Sequence, residues 1–172
     1  MFGVKGERGY NKYMNIISSE LILTVARVIL GAVMVYYGLP KVRDLASNNT
    51  DFHAMGFSPP WLWGSIVAVN EFVGGLAMVS GLYAEVFAAT FGFQMLLGTL
   101  WKRFRAGKEF PDYSYDLLAF ALCFLIVSFG SGIFALAHGN VAPIALRWDV
   151  ALLAIVAAIV GMSLSRPKMR QG

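Results

Sequence analysis

"PWLWGSIVAVNEFVGGLAMVSGL" (residues 60–82) carries one ionisable residue, Glu71, in an otherwise uncharged apolar run. A helix that crosses a bilayer needs ~20 mostly apolar residues, so the stretch predicts a membrane span. A carboxylate in mid-bilayer costs about 2.5–3.5 kcal/mol even on the lenient insertion scale. Glu71 is therefore expected to face protein or water, not lipid. Gly74 and Gly75 follow three and four residues later, on the same helix face. Their missing side chains admit a neighbouring helix, or a ligand, beside the carboxylate.

The rest of the chain has the same character. Of its 172 residues 58% are hydrophobic and only 14% charged, against about 25% charged in a typical soluble domain. The charges gather near the N-terminus, at 102–116 and at 166–170. This patterning predicts an all-α, polytopic membrane protein. The net charge of +4 then anchors loops against anionic headgroups and sets topology. No basic stripe with interleaved aromatics points to nucleic acid. The single cysteine, Cys123, excludes an intrachain disulfide and any CxxC redox or zinc motif, and reads as a small buried hydrophobe. His53 and His138 are too few and too far apart for a haem or metal cluster, and His53 reads as solvated. The N-terminal basic region precedes an apolar run that continues to Gly38. That is longer than the 7–15-residue core of a signal peptide, so an uncleaved first helix is expected.

Five spans are predicted: Glu20–Leu39, with "SSE" (18–20) as its capping signal, Pro60–Leu82, Glu85–Trp101, Tyr115–Ala137 and Ala145–Leu164. Gly81 is the expected breaker in the tight turn "SGLYAE" (80–85). A basic tail (1–19) precedes the bundle (20–138), a further C-terminal helix lies within 139–165, and a second basic tail (166–172) follows. Trp61, Trp63, Trp101 and Trp148 fall at predicted span ends, where aromatic belts sit. The long connections 40–59 and 102–114 share one side of the membrane with the C-terminus (side B). The N-terminus and the 80–85 turn share the other (side A). Side B holds nine Lys and Arg against four on side A, which makes side B, with the C-terminus, cytoplasmic. Ala157, Gly161 and Ser165 form a small-xxx-small face on the fifth helix.

Arg27 is the other ionisable residue deep in a predicted span. At 1.5 Å per residue it lies roughly 10 Å below side A. Glu71 lies roughly 14 Å below the same side in a ~30 Å core. These depths predict a buried Arg27–Glu71 pair. Such a pair either staples two helices or lines a polar pocket where Glu71 handles protons. Gly31, four residues after Arg27, extends the seam. Near side B, Lys41 and Asp116 are expected to pair as an interfacial couple, beside Tyr37, Gly38 and Pro40. Gln94 in the third helix is a further pocket candidate.

Three stretches carry a family resemblance: "ARVILGAVMVYYGLPK" (26–41), "NEFVGGLAMVSGLYAEVFA" (70–88) and "YDLLAFALCFLIVSFGSG" (115–132). Together they resemble the DoxX family. The resemblance implies a bundle of four membrane helices, here with a fifth C-terminal helix added. The positions it shares are Arg27, Gly31, Gly38, Lys41, Glu71, Gly74, Gly75, Gly81, Asp116, Gly130 and Gly132. It departs after Gly132, where "IFALAHG" stands in place of the family's Ser-Leu-Asp ending. Family members include subunits of thiosulfate:quinone oxidoreductase and partners of redox and detoxification proteins. The resulting expectation is quinone-linked redox chemistry, with Glu71 and Arg27 as catalytic residues. Gly31, Tyr37, Lys41, Gly74, Gly75, Gln94 and Asp116 are the expected cofactor-binding set. Quinone is the expected cofactor, with no metal, haem or flavin. The expected partners are the lipid bilayer, other membrane subunits and quinone, in a prokaryotic cytoplasmic membrane. A non-catalytic accessory or assembly subunit is the alternative, and a small-solute transporter the third.

Overall fold

In a computed structural model, residues 4–136 are described, together with Leu152 and Val156, both helical and exposed. The predicted fifth span and both ends of the chain lie largely outside the described residues. The described residues are helical with no strand: α1 (Val4–Arg43), α2 (Leu45–Ala54), α3 (Pro60–Ser80), α4 (Ala84–Leu100) and α5 (Phe110–Phe129). A π-helical turn, Trp101–Arg105, continues α4. Among the described residues, three helices are long and apolar enough to cross a membrane: Ile17–Arg43 within α1, α3 and α5. The 17 residues of α4 lie at the short end of the range for a spanning helix.

α1 buries one stripe, Thr24, Arg27, Leu30, Gly31, Met34 and Gly38, at the three-to-four spacing of a single helix face. Ile22, Val25, Ile29 and Tyr36, on its other faces, are exposed. α3 does the same with Gly64, Ala68, Glu71, Gly74, Gly75 and Met78. The polar and small residues face inward and the large aliphatics outward, as expected where the surroundings are lipid and helices associate by close packing. The glycines set that closeness. A Cβ on Gly31 would lie 2.8 Å from Gly75 O, and one on Gly75 would lie 2.8 Å from Gly31 O. A Cβ on Gly38 would meet the α3 backbone 2.5 Å away at Phe72 N. The main core joins Leu30, Met34, Met78, Phe91, Met95, Cys123 and Ile126 at the centre of the bundle. Cys123 is buried, as expected for a small hydrophobe.

Several boundaries move. α1 starts at Val4, not Glu20, and passes through "SSE" without using it as a cap. The long connection 40–59, for which no helix was expected, contains α2, capped by Asp44 accepting from Ser47 N at 2.9 Å. The sequence signal was present: an Asp one residue before Leu45. α2 is tied down by Asn48, whose amide donates to Gly64 O at 2.6 Å. Gly81 ends α3 in the left-handed region (φ 79), as predicted. α5 ends at Gly130, short of Ala137, because Gly130 and Gly132 take φ of 102 and 83, which only glycine adopts freely.

Candidate functional site

Arg27 does not pair with Glu71. Its side chain is fully buried and donates to four backbone carbonyls instead. Nε bonds Ser131 O at 2.8 Å, Nη2 bonds Phe134 O at 3.0 Å, and Nη1 bonds Val79 O at 2.9 Å and also Met78 O. Met78 and Val79 end α3, where carbonyls lack helical partners and the helix dipole attracts a cation. Ser131 and Phe134 belong to the segment that the two positive-φ glycines wind back over α1. A Cβ on Gly132 would strike Thr24 Oγ1. Arg27 is thus a clasp joining the side-A ends of α1, α3 and α5.

The depth reckoning failed through register. Gly31 lies against Gly75 and Val79, and Gly38 against Glu71 and Phe72. Antiparallel helices paired this way put Arg27 level with Gly81, and Gly38 level with Glu71. Treating Glu20 and Leu82 as one plane misplaces α1 against α3 by about six residues, or ~9 Å.

Glu71 is paired with Lys41. Lys41 Nζ sits 2.6 Å from both carboxylate oxygens, and Gln94 Nε2 donates to Oε1 at 2.5 Å. The network continues inward. Asn70 Nδ2 donates to Gln94 Oε1 at 3.1 Å, and the Thr90 hydroxyl reaches either Asn70 Oδ1 at 2.8 Å or Phe87 O at 3.0 Å. Lys41 does not pair with Asp116 as expected, because Glu71 lies within its reach and Asp116 has its own lysine. Lys102 Nζ lies 2.7 Å from Asp116 Oδ2. The two pairs are built alike. The carboxylates are buried at 4% and 8% side-chain exposure, while the lysines keep about a third of theirs, at 33% and 35%. Each lysine stem crosses apolar wall and holds its ammonium at the inner carboxylate.

Both pairs line one cavity of about 500 Å³ at the side-B end of the bundle. α1 contributes Met34, Tyr37 and Lys41; α3 contributes Val67 and Glu71; α4 and its π turn contribute Phe91, Gln94, Met95, Trp101 and Lys102. Tyr115 and Asp116 come from α5, and Asn48, Asp51, Phe52, Met55 and Phe57 close the cavity from α2 and its loop. Trp101 Nε1 donates to Met55 O at 3.1 Å, latching that roof to α4. The π turn widens the helix where Trp101 and Lys102 enter the wall, as such bulges often do at sites.

Of the predicted site residues, the cavity gathers Tyr37, Lys41, Glu71, Gln94 and Asp116. Arg27 sits at the opposite end of the bundle. Gly31 and Gly75 are spent on the α1–α3 contact, and Gly74 packs against Phe87 of α4. The sequence reading missed Lys102, Trp101, Tyr115, Asn70 and Thr90. Asn70, beside Glu71 in an apolar span, was the one available signal, since an intramembrane amide also needs a partner. His53 is exposed on α2, as expected.

An all-helical bundle with outward aliphatic faces and a polar cavity between its spans is an integral membrane protein. The DoxX family model matches residues 22–102, which supports assigning the chain to the DoxX family. No curated protein and no solved structure matches it. The matched segment contains Lys41, Glu71, Gln94 and Lys102, while Tyr115 and Asp116 on α5 lie beyond it.

Proposed function

We propose that this protein binds the ring of a quinone in its side-B cavity and manages protons there, as the quinone-site subunit of a redox system. One observation carries the reading: two lysine–carboxylate pairs and a glutamine converge on one aromatic-walled cavity between membrane helices. Its volume lies in the ~300–1,000 Å³ range of small-molecule sites.

The residues present fit such a ring. Phe91, Phe52, Trp101 and Tyr115 supply flat apolar wall, and Lys41 and Lys102 each retain donor capacity for a carbonyl oxygen. A quinone, when bound, accepts electrons and protons from outside the chain; here the electron donor is a reduced sulfur compound of thiosulfate type, or a partner subunit. Glu71 and Asp116 are the carboxylates able to take up a proton there. Lys41 and Lys102 orient the ligand and balance the charge. Gln94, tied through Asn70, holds Glu71 at a fixed rotamer. The α2 roof, latched by Trp101, closes one side of the cavity. In this reading α4 is a fourth span despite its length, and basic side B faces the cytoplasm.

Titrating the purified protein with decyl-ubiquinone and following tryptophan fluorescence tests this, because Trp101 lines the cavity. Saturable quenching that weakens at least about tenfold in Lys41→Met/Lys102→Met supports it. Non-saturating quenching, identical in wild type and variant, contradicts it.

A further inference from the structure

The helices pack in the order α1–α3–α4–α5, and the ring closes poorly. α1 lies along α3 on its glycines, and α5 lies along α4, where a Cβ on Gly92 would sit 3.0 Å from Cys123 Cβ. Among the described residues no glycine brings α1 and α5 together; at the cavity they meet through two tyrosine rings, Tyr37 and Tyr115, with centroids 6.0 Å apart and planes tilted by 53°. Both rings line the cavity. Both also keep a large share of their surface accessible, at 52% and 43% exposure. Where they meet, the boundary of the cavity between α1 and α5 is the two side chains alone. Beside them the outer surface is apolar and exposed, with Leu118 and Tyr36.

From this geometry we infer that the α1–α5 seam is a lateral portal between cavity and bilayer, with Tyr37 and Tyr115 as its two leaves. The inference rests on the quinone reading and extends it to the ligand's class. The site takes a two-part molecule, a small polar ring held at the lysine–carboxylate pairs and an apolar tail passing between the tyrosines into lipid. The two rings hold each other by a ring contact, and each turns about two side-chain torsions, so in this proposal the leaves part by rotamer change and not by movement of a helix. The polar mouth beside Lys41 and Lys102 remains open to a tail-less ring from the water side.

The test is the double variant Tyr37→Cys/Tyr115→Cys, measured before and after bridging with a short bifunctional maleimide. The native Cys123 is buried and does not compete. Two probes are used: decyl-ubiquinone, and the same dimethoxy-methyl-benzoquinone ring without its tail. The unbridged variant is the folding control. Bridging is expected to weaken decyl-ubiquinone binding at least tenfold and leave the tail-less ring within about twofold. Equal binding of the tailed probe before and after bridging overturns the portal while leaving the cavity reading intact. So does failure of the two cysteines to bridge. Failure of both probes to bind the unbridged protein and the wild type overturns the quinone reading and the portal with it.

Discussion

Glu71 and Arg27 are both buried ions, yet the surroundings give them opposite roles. Four backbone carbonyls take up four of the five guanidinium N–H groups of Arg27, which makes it a structural clasp. Arg27→Met strands four acceptors, and each orphaned group costs about 1–3 kcal/mol. The variant is expected to melt well below wild type in a detergent unfolding assay. The molecules that remain folded should bind decyl-ubiquinone with unchanged affinity, because the cavity lies at the other end of the bundle. Glu71→Gln should do the reverse. Gln preserves the contact with Gln94 but cannot hold a proton between turnovers, so the protein folds and quinone-linked turnover falls at least a hundredfold, within the range for losing a general acid–base. Equal loss of folding in both variants would reduce Glu71 to a staple. The sequence made both residues conspicuous, since a charge in an apolar run needs a partner. It did not reveal which partner, because pairing depends on the register of α1 against α3. That register is set by where glycines let backbones touch, not by where the apolar runs begin.

At the scale of the helix, the decisive contact is Gly38 on α3. A Cβ there falls 2.5 Å from Phe72 N and 2.8 Å from Glu71 Cβ, and backbone cannot step aside as a flexible side chain does. Gly38→Ala is expected to cost about 1–3 kcal/mol as overpacking. It should also weaken ligand binding, because it displaces the turn that carries Glu71; thermal melting and quinone titration on one preparation check both. Trp101→Phe removes the latch to Met55 O while keeping an aromatic wall. Proteolysis or hydrogen exchange should show α2 loosened and α3 unchanged. The spans α1, α3 and α5 were legible from apolar length alone, with ends displaced. α2 was not, because ten residues of mixed polarity carry too weak a pattern. The π turn has no sequence signature.

For the whole molecule, the account places the 80–85 turn and the Arg27 clasp on one side of the membrane, and the cavity mouth, α2 and the basic 101–109 connection on the other. Single cysteines at Tyr83, Asp51 and Lys108 report this, since buried Cys123 contributes little background. Membrane-impermeant maleimide added to intact cells should label position 83 and spare 51 and 108; inside-out vesicles should give the converse. Labelling of all three from one side would mean that α4 turns back without crossing, consistent with its 17 residues. That the 80–85 turn and the 40–59 connection lie at opposite ends of the bundle was legible in the sequence, through the spacing of the apolar runs. The gathering of Lys41, Glu71, Lys102 and Asp116 into one chamber was not, because those four residues come from three helices and the turn after α4, and only the assembled bundle brings them together. The most direct measurement of the central claim is an experimental density map of the protein prepared with decyl-ubiquinone. The account predicts ring density in the side-B cavity, with its oxygens at hydrogen-bond distance from Lys41 or Lys102. A cavity holding only water or residues of the C-terminal stretch, with quinone bound elsewhere or not at all, would contradict it.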